Sequence, residues 1–96
     1  MRELADLFAQ EGPEALSEIR GALARADSQA LEKAAHSLKG LVGNFAASRA
    51  YQAALRLETL AGEEKLSACQ DAYVQLEREI TRLKNVLDST LGGQKA

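Results

Sequence analysis

Eight side chains toward the C-terminal end of the chain do most to limit what it can fold into. Leu66, Cys69, Tyr73, Leu76, Ile80, Leu83, Leu87 and Leu91 follow one another at spacings of 3, 4, 3, 4, 3, 4 and 4. Alternating threes and fours hold side chains on one line of an α-helix, and so narrow a stripe is what antiparallel helices bury against each other. Between Glu63 and Leu91 such a helix runs roughly 43 Å at 1.5 Å per residue. That exceeds anything else the sequence offers, so one end is expected to project beyond its partners. Gly92-Gly93 should end it, leaving a frayed tail over 92–96 and one domain over 1–91.

The upstream sequence divides into shorter helical stretches. Arg2 to Gln10 carries Leu4, Leu7 and Phe8 at helical spacing, and Gly12-Pro13 is expected to interrupt it. A second helix should run from Pro13 to Arg25 with Leu16, Ile19, Leu23 and Ala26 on one side. Asp27 or Ser28 can cap a third, from about Gln29 to Asn44, by accepting from its free N–H groups. A fourth, Ser48 to Ala61, has Tyr51, Ala54, Leu55 and Leu57 available for packing, with Gly62 as a left-handed cap. The apolar volume is Leu and Ala rather than aromatic or β-branched residues, and aromatics make up only 4% of the chain. The expected fold is all-α: an antiparallel four-helix bundle with a short additional N-terminal helix.

Composition also removes several classes of function. Cys69 has no second cysteine to pair with, and one His with one Cys cannot build a zinc site, so no metal site is expected. A cysteine in the apolar seam should be buried and inert, which fits a reduced, cytoplasmic setting. No apolar run approaches the roughly 20 residues that span a bilayer. A net charge of −2 gives no drive toward nucleic acid. There is no Gly-rich phosphate loop and no nucleophile–base set that would make the chain a self-standing enzyme. Tyr51 and Tyr73 are expected to pack rather than react.

The one histidine is the residue that stands out. On a helical wheel, Leu31, Ala35, Leu38, Val42 and Phe45 fall within roughly 40° of one direction, the core face. His36 lies roughly 140° from it, on the solvent side. Positions i+4 and i+7, which cover the surface beside it, are both glycine, Gly40 and Gly43. A helical glycine costs about 1 kcal/mol relative to alanine, and open approach to the imidazole is a reason to bear that cost. Lys39 puts an ammonium within reach of an anion on the ring. Taken singly, these are an ordinary surface histidine, a cap, a packing glycine and a surface charge. Their convergence on one face suits a phosphoryl acceptor.

The run Ala34-Ala35-His36-Ser37-Leu38-Lys39-Gly40 resembles the Ala-His-x-Leu-Lys-Gly signature of bacterial histidine-containing phosphotransfer (HPt) domains. Gly43-Asn44-Phe45-Ala46 is similar to the Gly-Asn-hydrophobic-Gly stretch that follows it there, with alanine in place of the last glycine. Leu55-Arg56-Leu57-Glu58-Thr59-Leu60 falls where that family has the Leu-Glu ending of its next helix, and the likeness spans about residues 7 to 90. The resemblance implies a phosphorelay carrier with no kinase or phosphatase machinery of its own. His36 would accept a phosphoryl group through Nε2 and Lys39 would offset its charge. Gly40 and Gly43 would admit the partner, and Leu41 would add an apolar rim. Gln29 and Glu32 are candidate rim contacts or partners for the other ring nitrogen. The implied partners are receiver domains, which bring Mg²⁺ and most catalytic groups, or a hybrid sensor kinase; this chain would bind no cofactor and act as a cytoplasmic monomer. The chief alternative is a helical interaction module that pairs its long seam with another chain. A degenerate HPt fold that binds receivers without accepting phosphate is a further one.

Overall fold

Apolar stripes on four helices meet in one core. A computed structural model describes the backbone of residues 2–43 and 48–92, and side chains over 6–43 and 49–87. The helices are α1 (Arg2–Ala24), α2 (Ser28–Gly43), α3 (Ser48–Gly62) and α4 (Leu66–Gly92). There is no strand among the described residues. Each helix packs against the next, and α1 closes the ring against α4. Links of three residues, 25–27 and 63–65, are too short for anything but an antiparallel turn. The expected four-helix bundle is therefore what forms.

The separate N-terminal helix is not. Pro13 lies inside α1, which runs unbroken through Gly12-Pro13. An internal proline removes one backbone hydrogen bond and crowds the preceding turn, at about 3 kcal/mol. The opposing force is burial on both sides of it: Phe8 before the proline and Leu16 and Ile19 after it belong to the same core. Only a continuous helix keeps all three on one stripe. Gly12 sits directly under the Phe8 ring, where an added Cβ would stand 3.4 Å from Cε1. Merging the two expected helices gives α4 a long partner, with Leu83 and Leu87 half-buried against the core.

In α4 the seam holds as read: Cys69, Tyr73, Leu76 and Ile80 are buried, and burial pushes the Cys69 thiol up. The Tyr73 hydroxyl accepts from Arg20 Nη1 at 3.0 Å and donates to Glu77 Oε2 at 3.3 Å, so its polar end is satisfied as its ring packs. In α3 the packing residues are mostly small. Ala50, Ala53, Ala54 and Ala61 line the core beside Leu57, whereas Tyr51 is exposed and Leu55 half-buried. Alanines let α3 approach α2 closely, which matters for the site below. Leu4, Phe45 and Leu91, expected in the core, and Asn44 lie outside the described side chains.

The helix ends explain both tight turns. Asp27 caps α2, its Oδ1 accepting from the Ala30 N–H at 3.1 Å. The C-terminus of α1 closes with Asp27 N–H to Ala22 O and Ala26 N–H to Leu23 O, and α3 closes with Lys65 N–H to Leu60 O and Glu64 N–H to Ala61 O. Both are Schellman turns, which need a left-handed residue. Gly62 does not supply it. Ala26 (φ 55°) and Glu64 (φ 59°) do, although each bears a Cβ. A non-glycine residue there costs roughly 1–2 kcal/mol, against which the unfolded-state entropy of glycine offsets about 0.5–1. Ala26→Gly and Glu64→Gly should therefore each stabilise the domain by about 0.5 kcal/mol, read as a higher urea midpoint at unchanged slope.

Candidate functional site

The buried face of α2 is Leu31, Ala34, Ala35, Leu38, Leu41 and Val42. With those side chains turned inward, the same helix carries His36 outward, and 68% of its side chain is exposed. Ring position and exposure agree with the wheel. Gly40 is open: a Cβ built there meets nothing within 4 Å. Gly43 is exposed but flanked, with the Tyr51 ring edge 3.8 Å from where its Cβ would stand. Leu41 departs from expectation. It is 9% exposed and part of the core, so it forms no apolar rim. The wheel put it at the edge of the core face, on the flank it shares with Ala34 and Ser37, which line a groove with α1, and packing there draws that edge inside.

The second ring nitrogen is held from α3, not from α2. His36 Nδ1 meets Glu58 Oε2 at 2.8 Å. The other oxygen of the same carboxylate, Oε1, meets Lys39 Nζ at 2.8 Å in an ion pair. Neither Gln29 nor Glu32 does this: Gln29 is exposed, and the Glu32 carboxylate lies over Gly62, where an added Cβ would stand 3.1 Å from Oε2. Glu58 reaches two α2 side chains because Leu57 beside it is buried, which fixes the azimuth of α3. Lys39 is also confined. Its side chain is 19% exposed, and Nζ stands over the Tyr51 ring, 6.0 Å from the centroid.

Electrostatics fix the proton on the ring. The Lys39 ammonium and the His36 hydrogen bond hold the Glu58 carboxyl below its usual range, against an opposing effect of desolvation. Glu58 in turn holds Lys39 above the ordinary lysine range. An ionised carboxylate only accepts hydrogen bonds, so Nδ1 must be the donor when the ring is neutral. The lone pair is then on Nε2, which makes no hydrogen bond to a described residue. An exposed, unprotonated imidazole nitrogen beside a cation can act as a nucleophile toward an electrophilic phosphorus.

A family model described as the Hpt domain matches residues 3–86. The chain belongs to the Hpt family. Comparisons with curated proteins and with solved structures return no significant match. An Hpt domain is a histidine phosphotransfer carrier of two-component phosphorelays rather than an enzyme, and it interacts with receiver domains and kinases. No helix among the described residues is long and apolar enough to cross a membrane, and those residues contain no cluster of three or more His, Cys, Asp or Glu suited to a metal ion.

Sequence reasoning missed Glu58 as a functional group, though Leu57-Glu58 lay in view as part of the family pattern. The stabilisation Glu58 contributes is present above the ordinary carboxylate value of 4.5 and is lost as pH falls through its depressed value. Glu58→Gln should cost about 1 kcal/mol at pH 7. The gap from wild type should shrink as pH falls below about 4.5, measured by urea unfolding across pH.

Proposed function

We propose that His36 is the phosphoryl acceptor of this Hpt domain, taking the group from an aspartyl phosphate on a receiver domain and returning it to another receiver aspartate. One observation carries the reading: the exposed imidazole is held at Nδ1 by Glu58, while Nε2 has no hydrogen-bond partner among the described residues.

Nε2 attacks phosphorus in line. The N–P bond forms as the P–O bond to the receiver aspartate breaks, and that aspartate leaves as a carboxylate. The ring keeps its Nδ1 proton and becomes cationic, and the Glu58 carboxylate at 2.8 Å offsets that charge. Lys39 shares this carboxylate through Oε1. By pivoting off Oε1 its ammonium would meet a phosphoryl oxygen, replacing one anionic partner by another. The reverse step returns the phosphoryl group and restores the starting ring.

Transfer of this kind needs alignment and charge stabilisation more than covalent machinery. The receiver would supply Mg²⁺ and the remaining catalytic groups, and this chain the fixed nucleophile. Gly40 leaves the space beside His36 that a receiver loop would enter, with Gly43 beyond it and Gln29 and Glu32 one to two turns N-terminal as rim contacts. The receiver is the free-standing or kinase-linked partner of a transient complex in which the chain acts as a monomer.

The test is incubation with a phosphorylated receiver and Mg²⁺. Wild type should yield an acid-labile, base-stable adduct that His36→Gln abolishes. Lys39→Ala should slow transfer about tenfold, the loss of one charge-assisted hydrogen bond. Gly40→Ala should raise stability by about 1 kcal/mol, because a helical glycine in open space gains from a methyl, while slowing transfer. An adduct that survives His36→Gln removes His36 from the mechanism. No adduct on wild type would leave a receiver-binding domain without phosphotransfer.

A further inference from the structure

Tyr51 has no part in the reaction just described, yet its ring stands at the same site. It is one of three large apolar or aromatic side chains that the described surface leaves exposed, at 36%. The other two, Val74 and Val86, lie on α4, away from His36. On one side the ring edge lies beside Gly43, 3.8 Å from a built Cβ. On the other, Lys39 Nζ stands 6.0 Å from the centroid. Lys39 is thus bracketed by the Glu58 carboxylate and the Tyr51 ring, and only 19% of its side chain is exposed. A surface lysine with no such neighbours spreads over many rotamers.

We propose that Tyr51 is a positioning residue for Lys39: its ring face confines the ammonium beside His36, so that little ordering is left to do when a phosphoryl group arrives on Nε2. This rests on the function proposed above. An aromatic face attracts a cation without neutralising it, so Lys39 keeps its full charge for the phosphoryl oxygens. Glu58 alone would leave the stem free to swing about one anchor. With the ring present the ammonium has two, and the second lies toward Gly43, along the open strip the partner would occupy.

The expected effect is on rate, not on partner affinity. At saturating phosphorylated receiver, Tyr51→Leu should lower the single-turnover transfer rate about two- to fivefold, the range of an exposed cation–π contact. The receiver concentration giving half the maximal rate should not move. Tyr51→Phe keeps the ring and should retain most of the rate. In a Lys39→Ala background, Tyr51→Leu should have no further effect. A loss of equal size in that background, a change confined to half-saturation, or a Tyr51→Phe variant as slow as Tyr51→Leu would each overturn the assignment. A second readout needs no receiver. Nuclear Overhauser contacts between the Lys39 Hε and Tyr51 ring protons should appear in wild type, and their absence would overturn the proposal even if Tyr51→Leu failed to fold. Failure of wild type to take phosphate, with those contacts intact, would instead count against the function proposed for His36.

Discussion

One carboxylate organises the site. Glu58 on α3 gives one oxygen to the imidazole of His36 and the other to the ammonium of Lys39, each at 2.8 Å. The two partners are three residues apart on α2, so the contact also ties two helices together beside the proposed phosphoryl acceptor. A charge on a single anchor would wander. A carboxylate between a ring N–H and an ammonium is itself held in place, ionised by its neighbours, and so keeps the ring in the tautomer with a free Nε2. The proposed nucleophile, His36, owes its orientation to the Glu58 carboxylate and its accessibility to the open space at Gly40.

Everything else in the fold serves to set that geometry. The alanines of α3 bring its backbone close to α2, and burial of Leu57 turns Glu58 toward His36. The capped, tightly turned ends of α2 and α3 fix where each helix starts and stops relative to the other. Proline in the middle of α1 and left-handed Ala26 and Glu64 are local costs. Burial of Phe8, Leu16 and Ile19 on one stripe outweighs the first, and hydrogen-bonded Schellman turns outweigh the others.

What the sequence made legible follows from the range of the physics involved. The α4 seam, the exposure of His36 and the Asp27 cap depend on neighbours within a turn or two, and all three are found. Local rules failed where distant packing outweighed them. Gly12-Pro13 reads as a break, but core contacts on both sides hold the helix together. Gly62 reads as a cap, but the turn falls two residues later, at Glu64. Leu41 reads as an edge residue, yet it belongs to the core, on the flank of α2 where Ala34 and Ser37 line a groove with α1. The site shows the same division: His36, Lys39 and Gly40 share one helix and one motif, whereas Glu58 and Tyr51 arrive from another helix through tertiary docking. Helical periodicity does not fix the relative azimuth of two helices, so from the sequence the only candidate partners for the second ring nitrogen of His36 are rim residues of α2 itself, Gln29 and Glu32.

The tautomer of His36 is the sharpest measure of what Glu58 does. Two-bond ¹H–¹⁵N correlation spectra of the imidazole, taken where the ring is neutral, distinguish a protonated Nδ1 from a protonated Nε2 without any partner or phosphate. The wild type should show a pyrrole-like Nδ1 and a pyridine-like Nε2, with that preference lost in Glu58→Gln. A wild-type ring carrying its proton on Nε2 would contradict this, because the nitrogen left open to the partner would then have no lone pair to offer.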